Sequence, residues 1–188
     1  MFAEDKFQIN NINSFLPKKS IYFVERILKN KKNIKEKIIS FNIDEKTTLI
    51  LVSVKKDLKS SDVENLGAKF YNFIIKNLFK DISIMSESLK SKPGKDFLGR
   101  FIHGFKLKSY EFSIYKSKKN SNKITINLIG KQSKEHLKNK IKFKAIEEGT
   151  FFTRDLVSEP GNILHPDEYA RRLIKLKKYG LKVTVYNQ

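Results

Sequence analysis

The chain has 188 residues, no cysteine and a formal charge of +19, with 39% hydrophobic and 12% aromatic residues. That apolar share excludes a disordered polyelectrolyte, and the missing thiols exclude a disulfide framework or a thiolate metal site. Apolar runs such as residues 49–52 fall far short of the roughly 20 residues that span a bilayer, so no membrane role is expected.

The length suits one ordinary domain, or one domain plus the opening elements of a second. Residues 1–6 are acidic early and lack a cationic, apolar leader, which places the expected protein in the cytoplasm. Only Arg26, Arg100, Arg154, Arg171 and Arg172 are arginines, so the positive charge is overwhelmingly Lys, spread over many segments with acids between them. Such a distribution reads as a solvated surface, because phosphate and base recognition recruits Arg forks. A Lys-rich nucleic-acid-binding protein is the alternative, and its DNA binding would be weak, sequence-independent and salt-sensitive.

In chain order, β-rich or alternating runs predict strands at 7–12, 37–43, 47–54, 82–85, 123–129 and 182–186. Helical spacing falls between them. Phe70, Phe73, Ile74 and Leu78 recur at three and four residues in 61–79, with Ser61 and Asp62 as the expected cap. Phe97, Phe101 and Phe105 repeat the pattern in 95–109. A third helix over 134–157 puts Ile141, Ala145, Gly149, Phe152 and Leu156 on one stripe, with a close helix crossing expected at Gly149. Pro160 ends it, and Gly161 and Asn162 tolerate positive φ in the turn that follows. A new helix starts at Pro166, where Asp167 and Glu168 sit on the positive end of the dipole, and Gly180 closes it before the alternating run at 182–186. Strands and helices in alternation give an α/β class with a mixed or parallel sheet.

Residues 152–170, FTRDLVSEPGNILHPDEYA, closely resemble the "ARDLVNEPGN...TP" segment of leucine (cytosol) aminopeptidases, at the passage from their amino-terminal to their catalytic domain. A second stretch lies upstream and in the right order: Gly104, Leu107, Tyr110, Phe112, Tyr115 and Lys116 resemble the family's G-x-x-L-x-x-Y-x-F-x-x-Y-K element. The resemblance implies a macro-domain-like mixed sheet flanked by helices over 1–158, followed at 159–188 by the first helix and strand of a truncated catalytic domain. It also implies a parent enzyme that is a hexameric peptidase with two divalent metal ions, manganese, zinc or magnesium, removing amino-terminal residues from peptides. The partners implied for this chain are its own catalytic domain and further copies of itself. The family's metal-ligand segment and the Lys- and Asp-bearing motif before it have no counterpart here, so no catalytic or metal residue carries over. His165 departs from the family, standing where a Thr often caps the helix.

The family-signature residues Arg154, Asp155, Pro160, Gly161, Asn162 and Pro166 are expected to be structural, with Arg154 and Asp155 as an ion pair or cap that fixes the interdomain connection. His165, Asp167 and Glu168 are not read as a metal cluster, since carboxylates are expected at a helix start and imidazole is scarce. His103 reads as a packed or half-exposed helix residue rather than a catalyst, and His136 as surface. With eight glycines and no G-x-G-x-x-G run, no phosphate cradle is evident.

Overall fold

The computed structural model of the chain describes residues 1–9, 12, 14–30, 36–88, 96–117, 123–130 and 132–186, the stretch 132–138 by its backbone alone. Strand β1 (Phe2–Glu4) opens the chain, followed by helix α1 (Lys18–Asn30) and strands β2 (Ile38–Asn42) and β3 (Thr48–Val54). Helix α2 (Ser60–Lys76), strand β4 (Asp81–Met85), helix α3 (Phe97–Lys108) and strand β5 (Thr125–Ile129) alternate after them. The long helix α4 (Gln132–Ser158) and the short α5 (Pro166–Ile174), continued by a 3-10 turn at Lys175–Tyr179, complete the order.

β3 carries seven residues with almost continuous apolar character and sits at the centre of a sheet ordered β1-β3-β2, parallel to β1 and antiparallel to β2. β4 and β5 form a parallel pair. Period two sends alternate residues to opposite faces of the three-stranded sheet. Phe2, Ile38, Val52 and Val54 face α2, α3 and β4, whereas Ala3, Ile39, Leu49 and Leu51 face Val24 of α1 together with Phe7, Ile9 and Ile12. On the α3 side the expected Phe97, Phe101, Phe105 stripe is buried, and the Phe2 ring meets those of Phe97 and Phe101 edge-on at 5.2 and 5.1 Å.

Helices α2 and α3 cross at two glycines, backbone against backbone. A methyl added to Gly67 would lie 2.0 Å from the Phe101 carbonyl oxygen, and one added to Gly104 would lie 1.9 Å from that of Glu64.

Several sequence expectations are corrected. The crossing expected at Gly149 is absent: nothing lies within 4 Å of a methyl placed there, and Ile141 on the same stripe is 82% exposed. α4 buries Leu156 of the expected stripe, and otherwise Phe143 and Glu147, a face offset around the helix from Ile141 and Ala145. The strand expected at 7–12 is displaced to β1, because Lys6 and Phe7 adopt positive φ of 58° and turn the chain back so that Glu4 bridges Gln8; residues 10 and 11 lie outside the described residues. The run at 182–186 joins no strand among the described residues, so its alternation has no backbone partner to exploit. α2 begins at Ser60 with Lys59 at the cap and no side-chain cap bond, one residue ahead of the expected Ser61 and Asp62.

Candidate functional site

The described residues concentrate their buried polar chemistry on the seam between α3 and α4 and on the connection that follows it. α3 is amphipathic in the unusual sense that one turn carries His103 and Lys106 where an apolar residue would pack. His103 and Glu147 are each only 5% exposed, and His103 Nδ1 stands 3.0 Å from Glu147 Oε1. A carboxylate oxygen can only accept, so the imidazole donates. Lys106 Nζ donates to the other oxygen, Oε2, at 3.1 Å, and the Phe143 ring covers the imidazole with centroids 5.1 Å apart. Gly99 makes room for this: a methyl there would come within 2.6 Å of the Phe143 ring.

Two turns further along α4, the neighbouring residues Arg154 and Asp155 both reach the end of α3. Arg154 Nη1 donates to the Leu107 carbonyl at 2.6 Å and its guanidinium lies 5.4 Å from the centroid of the Tyr110 ring. Tyr110 donates its hydroxyl proton to Asp155 Oδ1 at 2.8 Å. Burial and then that carboxylate push the Tyr110 hydroxyl above its ordinary value, because both disfavour the phenolate. A groove of about 380 Å³ borders this cluster, lined by Tyr110, Thr150, Thr153, Arg154, Val157 and Ser158.

The connection to α5 is a relay of charges. Tyr115 donates to Glu159, which also accepts from Arg172 Nη1 at 3.0 Å. Arg172 Nε then bonds Glu168 at 2.8 Å, and Arg171 grips the same carboxylate from Nε and Nη2 at 2.5 and 2.8 Å. Bonds from Arg171 first and Arg172 next hold the Glu168 carboxyl down to about 2 from 4.5. A folded value below the unfolded one means that these pairs contribute fully above pH 4.5 and lose their contribution as pH falls from there toward 2. The side-chain carboxyl carbon of Glu168, followed by NMR, is expected to titrate near 2 in the chain and near 4.5 in Arg171→Ala/Arg172→Ala.

The sequence-derived residues fall into place unevenly. Gly161 and Asn162 form a turn in which Ile163 and Leu164 both donate to the Pro160 carbonyl, at 2.9 Å each, and the turn forms without positive φ at Gly161 or Asn162. His165 caps α5 without a side-chain bond, its carbonyl accepting from Tyr169 at 2.9 Å. The side chain of His136 lies outside the described residues. Of the two settings read for His103, packed or half-exposed, the structure has the packed one, but its link to Glu147 was missed, since the two stand 44 residues apart and no local spacing couples them.

No family model matches the chain. It is 33% identical over 120 residues to a probable cytosol aminopeptidase of Phytoplasma mali, a match covering 61% of this chain and 24% of that protein. It is 28% identical over 156 residues to probable cytosol aminopeptidase 1 of Shewanella oneidensis, covering 80% of this chain and 30% of that one. The chain is similar to the leucine (cytosol) aminopeptidases. A solved structure of a tomato leucine aminopeptidase mutant has the same fold over 95% of this chain and 39% of its own, with a TM-score of 0.68 at 14% identity. The bottromycin maturation enzyme BotP, also solved in complex with Mn, matches over 86% of this chain and 36% of its own with a TM-score of 0.64 at 15% identity. This leucine aminopeptidase relative therefore spans under a third of the curated proteins it matches.

The divalent ions that the family implies do not fit the residues described. No group of three or more His, Asp or Glu side chains among them is placed to hold a metal ion, and both oxygens of Glu168 are already taken by arginines. No helix among the described residues is long and apolar enough to cross a membrane.

Proposed function

We propose that this chain is the amino-terminal, non-catalytic portion of a cytoplasmic two-metal leucyl aminopeptidase, which removes amino-terminal residues from peptides. Residues 1–158 form its macro-like domain and 159–188 open the peptidase domain, which carries the manganese or zinc site. The role of the amino-terminal domain is structural: it holds the catalytic domain, shapes access to the active site and takes part in a hexamer.

The observation that carries this reading is the surface after Ser158. Tyr179, Leu181 and Tyr186 are 67%, 55% and 90% exposed, no residue of α5 is buried, and the ion pair that ties α5 to the chain before it is Arg172 with Glu159 at 3.0 Å. A segment with so many bare aromatic and aliphatic side chains is built to be covered by a further layer, and a catalytic domain continuing from it supplies that layer.

Two measurements test the reading. The chain, incubated with leucine amide and manganese or zinc, is expected to release no leucine above background, and turnover that co-purifies with it and is abolished by chelators would refute the non-catalytic assignment. Hydrogen exchange followed by mass spectrometry is expected to be fast over 162–186 and slow around Phe143 to Phe151, because only the latter stretch packs on α3. Equal protection in both stretches would move the boundary away from Ser158.

A further inference from the structure

Helix α1 covers the face of the three-stranded sheet opposite to α2 and α3, so it lies on the far side of the fold from the α3–α4 seam and from the connection that follows Ser158. At roughly 100° per residue, Val24, Ile27 and Leu28 turn inward to the sheet, while Lys18, Lys19, Tyr22, Phe23, Arg26 and Lys29 share the outward arc. All six are exposed, Tyr22 at 70% and Phe23 at 38%. Local rules are broken along this arc. A helix start is the positive end of the dipole and favours acids, yet the first turn of α1 has none and carries Lys18 and Lys19 instead. Arg100, Arg154, Arg171 and Arg172 each donate to a carboxylate or a carbonyl, whereas Arg26 makes no hydrogen bond among the described residues. None of Lys18, Lys19, Arg26 and Lys29 forms an ion pair among the described residues, and Glu25, the lone acid of the helix, stands half-buried. Two aromatic side chains stand in water in the midst of these cations. Sequences break local rules chiefly where function requires it.

We propose that this arc of α1 is a membrane-docking surface, which lays the domain on a bilayer rich in anionic lipid with Tyr22 and Phe23 at the level of the headgroups.

Sign, residue type and shape each favour that partner. Four cations beside the positive end of a helix dipole call for an anionic surface and exclude a second copy of the same face, which would be repelled. Lys18, Lys19 and Lys29 outnumber Arg26, and an ammonium is a point charge suited to a diffuse layer of headgroups, whereas nucleic-acid recognition recruits Arg forks to individual phosphates. The outward flank of a helix is convex, and aromatic rings set among cations are the side chains that settle at a membrane–water boundary. Each cation near an anionic leaflet strengthens partitioning by about fivefold, so the four together supply roughly several hundredfold, enough for reversible attachment. No helix among the described residues is long and apolar enough to cross a bilayer, but lying on its surface requires only one helix face.

The whole chain is expected to sediment with vesicles of phosphatidylcholine mixed with phosphatidylglycerol, and to bind vesicles of phosphatidylcholine alone at least about tenfold more weakly. A formal charge of +19 draws the chain to any anionic surface, so the decisive comparison is between variants that lose the same charge. Lys19→Gln/Arg26→Gln should weaken partitioning by about tenfold or more, whereas Lys175→Gln/Lys177→Gln, which removes two exposed cations beyond α5, should change it by less than about threefold. Tyr22→Ala/Phe23→Ala keeps every charge and should still weaken partitioning by about fivefold, a loss that salt does not remove. Equal loss from the two charge pairs, or equal partitioning onto the two kinds of vesicle, would overturn the proposal. So would a Lys19→Gln/Arg26→Gln chain that keeps its vesicle binding and loses its binding to a single-stranded oligonucleotide, which would make the arc a nucleic-acid surface.

Discussion

Gly104→Ala is expected to destabilise the chain by about 3 kcal/mol or more, the upper end of what overpacking costs. Two effects of opposite sign compete at this position. Alanine is the better helix former, which favours the variant by about 1 kcal/mol. Against that, the added methyl would lie 1.9 Å from the Glu64 carbonyl oxygen, with the Glu64 carbon atoms at 2.6 Å, and all of these belong to the backbone of α2. A flexible side chain could swing aside, but a helix backbone can only move as a whole. Moving it would part the buried contacts of Phe70 with Phe101 and Phe105, whose centroids lie 5.3 and 5.9 Å apart. Gly149→Ala supplies the matched control, since nothing lies within 4 Å of its methyl. There the propensity gain stands alone, and the variant is expected to be more stable by about 0.5–1 kcal/mol. Urea midpoints at unchanged slope measure both. A neutral Gly104→Ala would mean that α2 and α3 do not cross backbone to backbone.

That pair of glycines also shows where sequence reading succeeds and where it stops. The central strand β3 and the Phe97, Phe101, Phe105 stripe were legible because their periodicity is strong and their residues are unambiguous core formers. Gly149 was taken for a crossing because it sits mid-stripe between apolar residues, yet a small residue marks a crossing only when a second helix is opposite, and the sequence does not say which helix that is. Of the residues that α4 buries, Phe143, Glu147 and Leu156, together with the half-covered Arg154 and Asp155, three are charged, so a hydrophobicity pattern assigns much of that face to solvent. Helix α1 was missed for a related reason: Val24 is its only buried residue, and charged residues, Lys18, Lys19, Glu25, Arg26 and Lys29, break up its apolar ones. At the site, Arg154, Asp155 and Tyr110 were each marked by the family resemblance. What joins them is a hydrogen bond between residues 45 positions apart, which only the packing of α3 on α4 creates.

Glu147→Ala is the second variant with a large expected effect, a loss of about 3 kcal/mol, in the range measured when one member of a buried ion pair is removed. The Glu147 side chain is 7% exposed and its two oxygens serve different donors, His103 at 3.0 Å and Lys106 at 3.1 Å. Alanine would leave the His103 donor, itself 6% exposed, without an acceptor beneath the Phe143 ring, and water has little access to replace it. Lys106 is different. Its side chain is 41% exposed and can turn to solvent, so Lys106→Ala should cost less than about 1 kcal/mol. Glu147→Gln keeps the shape and one acceptor and should fall between the two, at about 1–2 kcal/mol. The order Ala, Gln, Lys106→Ala in urea midpoints is the diagnostic result, and a His103→Ala/Glu147→Ala cycle should return a coupling above about 1 kcal/mol. If Glu147→Ala instead stays within 1 kcal/mol of the parent chain, the cost of desolvating the carboxylate already cancels its bonds, and the α3–α4 seam is held by the Phe143 ring and the Arg154 and Tyr110 contacts alone.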